Sequence, residues 1–242
     1  MKKHKGLKLG IAAVLLLCCA CWGYAADYYH ADDHAVAAMS SAADVAVEQK
    51  ENSLAFIPRD AEVGLIFYPG GKVEYTAYAP LMHALADNGV LCVLVRMPLN
   101  LAVLNMNAAH GIPEQYPQIK RWYIGGHSLG GSMAASHAAK NASAYDGLVL
   151  LASYSTADLS ASGLPVISIY GSEDGVLNME KYTEYTYKLP AAFEEHIIEG
   201  GCHAGFGSYG PQHGDGEPTL TGDEQIAQTV RLLTAFFSGA QE

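Results

Sequence analysis

The sequence predicts one α/β domain in which a doubly wound, mostly parallel sheet carries helices on both faces. Two features lead to this fold class: short apolar runs alternate with helical patterns, and turn residues bound each run. The length agrees, because about 216 of the 242 residues follow a distinct N-terminal segment and are enough for one domain. We divide the chain into an export or anchor segment (1–26), a helical lead segment (27–50) and the main domain (51–242).

Six apolar runs have the length and the bounding residues of buried parallel strands. They cover residues 64–68, 90–95, 122–124, 148–152, 166–170 and 195–198. Helical patterns cover residues 35–39, 78–88, 129–140, 179–188 and 224–237. In such a sheet the loops that follow the parallel strands meet at one edge, where ligands bind. Functional residues are therefore expected in these loops.

Composition and charge exclude several classes of protein. Half of the residues are hydrophobic and only 16% are charged, which excludes a disordered chain. The net charge is −11, and after residue 26 there are 10 basic against 25 acidic residues, a net −15. A body this negative repels a phosphate backbone, so no nucleic-acid partner is expected and a small-molecule ligand is favoured.

The first 26 residues are typical of an export signal or a membrane anchor. Residues 2–8 contain four lysines, and residues 9–26 carry no charge. Cleavage after Ala25, retention as a membrane helix and acylation of Cys21 remain open at this point. In each case the lysines keep their end in the cytoplasm and the body lies outside, secreted or anchored. Any contact with a membrane is expected through residues 9–26 only.

The strongest motif is a Gly-x-Ser-x-Gly sequence centred on Ser128. It follows the strand 122–124 and leads directly into the helix 129–140. In a strand–turn–helix context this spacing lifts a serine Oγ above the sheet, while the glycines let strand and helix approach closely. The motif therefore predicts that Ser128 is a nucleophile.

A serine nucleophile needs a histidine base and an acid that orients it, in the chain order serine, acid, histidine. Asp174 follows the strand 166–170, and His203 follows the strand 195–198. Gly175 permits the tight turn that points a short carboxylate inward. The sequence thus predicts the catalytic triad Ser128, Asp174 and His203.

Other residues compete for these roles. Glu173 and Asp158 are alternative acids, and His213 is an alternative base farther from its strand. His127 flanks the nucleophile and is expected to pack, and Cys202, which precedes the predicted base, is interpreted as a small residue in a turn rather than a nucleophile. The preferred triad remains the one in which every member directly follows a strand.

Two backbone N–H groups are expected to bind the oxyanion that forms when the serine attacks a carbonyl. One belongs to Leu129, directly after the nucleophile. The other is expected from Gly71 or Lys72, in the Pro-Gly-Gly-Lys loop that follows the strand 64–68, because glycines let a backbone approach a ligand closely.

From Gly64 onwards the chain resembles the α/β-hydrolase superfamily, and in particular the small "fold-5" group related to dienelactone hydrolases. The motifs that carry the resemblance lie at residues 65–72, 125–131, 170–174 and 200–204. The resemblance implies a serine hydrolase of carboxylic esters, with Ser128, Asp174 and His203 as its triad and without a cofactor. Dienelactone hydrolases use a cysteine nucleophile, so the serine here favours an esterase. Similar envelope proteins carry an N-terminal membrane segment.

Loop lengths predict an open site. About fourteen residues, 152–165, join two strands where larger lipases insert a helical cap, and this is too short for a lid domain. Short or small acyl groups are therefore expected, with Leu99, Leu101 and Leu104 as apolar contacts. The glycine-rich segment 204–222 is interpreted as a surface loop.

The acidic residues and the histidine in and just after this loop match no metal-ligand signature, so no metal is expected. They are His213, Asp215, Glu217 and Asp223. Two functions stand: an extracytoplasmic serine esterase, or a catalytically silent hydrolase-fold binding module of the cell envelope. The complete set of triad residues favours the enzyme.

Overall fold

A computed structural model describes residues 14, 16, 23, 24, 26–191 and 193–239. The strands are β1 Val45–Gln49, β2 Ser53–Pro58, β3 Val63–Tyr68, β4 Val90–Val95, β5 Arg121–His127, β6 Gly147–Leu151, β7 Val166–Gly171 and β8 Glu194–Ile198. The α-helices are α1 Asp33–Ala38, α2 Ala79–Asp87, α3 Leu129–Ala138, α4 Met179–Tyr185 and α5 Gly222–Ser238. Short 3₁₀ turns occur in several of the connections.

The eight strands form one sheet in the order β1-β2-β4-β3-β5-β6-β7-β8. The six strands from β3 to β8 pair in parallel, whereas β1 and β2 form an antiparallel edge beside β4. The predicted fold class, a doubly wound and mostly parallel sheet, is confirmed.

Helices cover both faces of the sheet. In β3, Leu65 and Phe67 join a core with α2 and α5, whereas Ile66 and Tyr68 join a second core with α3. This alternation follows from the two-residue period of a strand, and burial on both faces explains the continuous apolar runs in the sequence. The sheet is therefore a rigid central layer from whose edge the loops project.

The antiparallel edge is where the sequence-based expectation is incomplete. Residues 27–50, for which only a helix is predicted, contain α1 and also β1, and β2 follows at once. β1 exposes most of its side chains, as an edge strand does, so its sequence lacks the apolar run of a buried strand. The lead segment is thus part of the sheet.

No helical cap interrupts the sheet between β6 and β7, where residues 152–165 form an irregular loop. Most of the predicted export or anchor segment, residues 1–26, lies outside the described residues. Within the part of the chain that is described, no helix combines the length and the apolar character needed to cross a membrane.

Candidate active site

Ser128 stands in a sharp turn between β5 and α3. Its backbone has φ 52° and ψ −123°, a conformation that a residue with a side chain adopts only at a cost. Its N–H donates to the Leu151 carbonyl at 2.9 Å, and its carbonyl accepts from the Ser153 hydroxyl at 2.7 Å. The Ser128 side chain does not cap the helix. The turn is therefore held by the Ser128 backbone.

The glycines on either side of Ser128 allow this turn to form. A Cβ at Gly126 would lie 2.5 Å from the Tyr68 carbonyl oxygen, and one at Gly130 would lie 2.3 Å from the carbonyl oxygens of Tyr68 and Pro69. Both distances are too short for any side chain. The spacing of the motif thus reflects direct contact between α3, β5 and the end of β3.

Asp174 and His203, from the loops after β7 and β8, form a buried pair. His203 Nδ1 lies 2.9 Å from Asp174 Oδ2 and 3.1 Å from Oδ1, and each side chain is only 1% exposed. Asp174 Oδ1 also accepts the N–H groups of Val176 and Leu177. An ionised carboxylate can only accept, so Nδ1 carries a proton and Nε2 is left as an acceptor.

The competing acids and the competing base lie elsewhere. The Glu173 side chain is exposed and accepts from the Ser172 hydroxyl. Asp158 is exposed and bonded to Ser160, and His213 is exposed with its N–H on Tyr29. The structure therefore brings Asp174, and neither of its rivals, against His203.

Ser128 and His203 line the same cleft, which has a volume of about 240 Å³. His203 Nε2 is buried and has no hydrogen-bond partner among the described residues. The other residues of the cleft are Leu129, Ser132, Ala152, Ser153, Tyr154, Val176, Leu177 and Asn178. Ala152 also has a positive φ, 45°, so two strained residues face one cleft.

The predicted oxyanion donors meet different outcomes. Within the described residues the N–H groups of Leu129 and Gly71 have no acceptor, and a Cβ at Gly71 would lie 2.9 Å from Leu129 Cδ2. Gly71 is therefore packed against the Leu129 side chain. The prediction of Lys72 is wrong, because its N–H donates to the Asn100 carbonyl at 2.8 Å. Its ammonium group binds Asp27 instead.

The three leucines predicted to contact substrate do not line the Ser128 cleft, so that prediction is wrong. Leu99 is 60% exposed and Leu104 54% exposed, and Leu101 is half-buried. Leu99 and Asn100 both have left-handed backbones, with φ 52° and 55°, which turn this loop outward. Leu99 borders a separate and larger depression of about 1090 Å³.

His127 has a larger part in the site than its sequence position indicates. Its ring is fully buried, with its centroid 4.5 Å from that of His203. The Tyr78 hydroxyl accepts the Gly70 N–H at 3.0 Å and lies 2.8 Å from His127 Nδ1, so it can donate its proton there. Burial, and next the proximity of His203, hold the pKa of His127 well below its usual value. A neutral His127 therefore supports His203 and, through Tyr78, the turn before Gly71.

The segment 204–222 is not only a surface loop, which corrects the interpretation from sequence. Asp215 is half-buried, and its carboxylate accepts four backbone N–H groups. The donors are Gly175, His203, Ala204 and Gly216. Burial alone would raise the pKa of Asp215, but these four bonds together lower it. Nothing in the local sequence marks this carboxylate, because its partners lie up to 40 residues away.

Both cysteines of the body are buried free thiols. Burial and then the charge of Asp215 raise the pKa of Cys202 to about 11, so it stays protonated near neutrality and is a poor nucleophile. Over the described residues no group of three or more histidine, cysteine or acidic side chains is arranged to hold a metal ion.

Comparison with known proteins agrees with this fold. Residues 64–227 match the model of the alpha/beta hydrolase family. No curated protein matches the sequence. Among solved structures, TT1662 from Thermus thermophilus has 16% identity and a TM-score of 0.57, with 81% of this chain and 97% of that chain covered.

Two further structures are similar to the chain. A dienelactone hydrolase from Anabaena variabilis has 15% identity and a TM-score of 0.56, covering 84% of this chain and 98% of its own. Est1E from Butyrivibrio proteoclasticus has 12% identity and a TM-score of 0.57, covering 81% and 98%. At such identities the likeness establishes the fold.

Proposed function

The chain belongs to the alpha/beta hydrolase family, and we propose that it is a serine hydrolase that cleaves carboxylic esters of small acyl groups through an acyl-enzyme intermediate. One observation carries the proposal. His203 lines the cleft of Ser128 with a free, buried Nε2, while its Nδ1 is held by the buried carboxylate of Asp174. This is the arrangement that a histidine needs to accept a proton from a serine.

The first half of the reaction forms the acyl-enzyme. Ser128 Oγ attacks the ester carbonyl carbon while its proton passes to His203 Nε2, and Asp174 stabilises the imidazolium. The carbonyl oxygen becomes an oxyanion that accepts the N–H groups of Leu129 and Gly71. When the tetrahedral intermediate collapses, the C–O bond to the alcohol breaks, and the alcohol leaves with the proton from Nε2.

The second half repeats these steps with water. Water gives a proton to His203 Nε2 and attacks the acyl carbon, and the same two N–H groups bind the new oxyanion. Collapse breaks the bond to Ser128 Oγ, which recovers its proton from Nε2, and the carboxylic acid is released. His203 acts first as base and then as acid in each half.

The volume of the cleft supports small acyl groups. Its volume of about 240 Å³ is below the roughly 300–1,000 Å³ of pockets that hold drug-sized ligands. Val176 and Leu177 supply apolar contact, and Tyr154 and Asn178 supply polar groups. Each methylene left in water forgoes ~0.8 kcal/mol of burial, so long acyl chains gain little affinity. We expect kcat/KM for p-nitrophenyl butyrate to exceed that for the palmitate ester.

We also propose that the reaction takes place outside the cytoplasmic membrane. The support is the four lysines of residues 2–8 followed by eighteen uncharged residues. Whether the body is secreted or anchored can be measured by fractionating cells and sequencing the N-terminus of the product. An intact chain in the cytoplasmic fraction would contradict the proposal.

A fluorophosphonate separates an enzyme from a silent binding module of the same fold. The enzyme has an activated serine, so the probe should label one residue, and peptide mass spectrometry should find the label on Ser128. Ser128→Ala should take up none, whereas Ser136→Ala, on the same helix, should label like the wild type. An unlabelled wild-type chain would contradict catalysis and favour the binding module.

A further inference from the structure

Asp215 connects the two loops that carry the acid and the base. Its Oδ1 accepts the N–H of Gly175, the residue after Asp174, at 3.1 Å, and the N–H of His203 at 3.1 Å. Its Oδ2 accepts the N–H of Ala204 at 2.8 Å. A fourth bond comes from Gly216. One carboxylate thus holds both loops by their backbones.

The backbones around these bonds are in direct contact. A Cβ at Gly175 would lie 2.5 Å from the Gly214 carbonyl oxygen, and one at Gly216 would lie 2.0 Å from the Glu173 carbonyl oxygen. These contacts are independent of the Asp215 side chain. They show that segment 214–216 is packed against the turn that presents Asp174, at a distance that only glycines permit.

The bonds matter because Asp174 and His203 come from different strands. Close to the strands, the two loops are joined by the Glu173 N–H, which donates to the Gly201 carbonyl at 2.8 Å, and by the Gly200 N–H, which donates to Ser172 Oγ at 2.8 Å. Asp215 adds bonds farther along both loops, at His203 itself and at the residue after Asp174. Hydrogen bonds from backbone N–H groups to an ionised carboxylate are stronger than those between neutral groups. No lysine or arginine side chain in the described part of the chain pairs with Asp215. Its charge is instead satisfied by these N–H groups.

We propose that Asp215 is a positioning residue for the catalytic acid–base pair: it fixes the turn of Asp174 against the backbone of His203. The inference rests on the proposed function, because the pair needs this alignment only if His203 works as a base. Asp215 does not line the Ser128 cleft. Its loss should therefore change the rate of the chemical step and leave substrate binding alone.

The variant Asp215→Asn tests this directly in the full-length chain. An amide would place an NH₂ group against one of the N–H donors and remove the negative charge. Misplacement of reacting groups by about 1 Å costs on the order of 100-fold, so we expect kcat to fall roughly 10- to 100-fold with KM within about twofold. Rates are expressed per Ser128 that a fluorophosphonate labels at completion, which corrects for misfolded protein.

Glu217→Gln is the matched control. Glu217 lies two residues away in the same loop and is exposed, and its replacement by glutamine removes the same negative charge. Its side chain makes no hydrogen bond or ion pair within the described residues. We expect its kcat to equal that of the wild type. Equal kcat for Asp215→Asn and Glu217→Gln would overturn the inference. A lower kcat/KM for Asp215→Asn that comes from a raised KM at unchanged kcat would also overturn it.

A double-mutant cycle with Asp174→Asn shows whether Asp215 acts through the pair. If it does, Asp215→Asn should lower kcat by a much smaller factor in the Asp174→Asn background than in the wild type. An equal fold-loss in both backgrounds would overturn the inference. Amide hydrogen exchange adds a readout apart from activity: Asp215→Asn should speed exchange at Gly175, His203 and Ala204, and Glu217→Gln should not.

Failure of the proposed function gives a different pattern. In that case the wild-type chain itself would neither bind a fluorophosphonate nor hydrolyse esters, and both proposals would be overturned. Failure of this inference alone leaves an active wild type and an equally active Asp215→Asn variant.

Discussion

Two loop regions at the carboxyl edge of the sheet are built in opposite ways. The loops after β7 and β8 bury Asp174 and His203, and Asp215 binds the backbones of both. The loop after β4 instead exposes Leu99 and Leu104 and lies outside the Ser128 cleft. The groups proposed for chemistry are thus held firmly, while the apolar loop contributes nothing to the cleft. The proposed preference for small acyl groups rests on the volume of the Ser128 cleft, about 240 Å³.

The largest loss of kcat is expected when the buried pair of Asp174 and His203 is disrupted. Asp174→Asn should lower kcat by roughly 10³- to 10⁴-fold, because Nδ1 of His203 then loses its carboxylate and the favoured tautomer changes. Steady-state hydrolysis of p-nitrophenyl butyrate measures it. Glu173→Gln removes an adjacent, exposed carboxylate and should change kcat by less than about twofold. A larger loss of kcat in Glu173→Gln than in Asp174→Asn would show that Glu173, and not Asp174, is the acid that orients His203.

Acid should lower the free energy of unfolding through a histidine of the buried region, and an exposed histidine should contribute little to this loss. His127 is buried with a lowered pKa, so the unfolded chain binds a proton that the folded chain does not. Its stabilisation is complete above the ordinary histidine value near pH 6.5 and is lost as the pH falls below it. Between pH 7.5 and 5.5 this histidine should remove up to about 1.4 kcal/mol of the free energy of unfolding.

Urea denaturation at the two pH values measures this loss. His127→Gln should reduce the difference between them, because the variant has one fewer buried neutral histidine. His110→Gln is the control in the exposed region, since His110 lies on the loop that follows β4 and is exposed. A difference that His127→Gln leaves unchanged would contradict the assignment of a neutral, buried ring.

The smallest effect is expected in the exposed loop. Leu99→Ala with Leu104→Ala removes two side chains that are more than half in water, so little apolar burial is lost. We expect kcat/KM for p-nitrophenyl butyrate to stay within about twofold of the wild type. A loss above tenfold would show that the loop closes over the substrate.

Much of this site follows from sequence because each part has a local signature. Ser128 lies between glycines that a strand–turn–helix needs, and Asp174 and His203 lie in the loops that follow two predicted strands. The fold class follows in the same way, from the alternation of apolar runs with helical patterns. These features depend on neighbours in the chain, which a sequence shows.

The remaining features depend on distant partners. Asp215 and Tyr78 act on residues that lie far away in the chain, and the Lys72 N–H is occupied by a carbonyl 28 residues on. The edge strand β1 lacks an apolar run because one of its sides has no partner. Leu99 follows a buried strand as expected, but its left-handed backbone turns it outward. None of these contacts leaves a local pattern.

The most direct test of the central claim is rapid mixing with p-nitrophenyl butyrate, followed by mass analysis of the quenched protein. We predict a burst of p-nitrophenol close to one per chain, with a butyryl group on the peptide that contains Ser128, and neither in Ser128→Ala. An acyl group on another residue, or full hydrolytic activity in Ser128→Ala, would contradict an acyl-enzyme on Ser128.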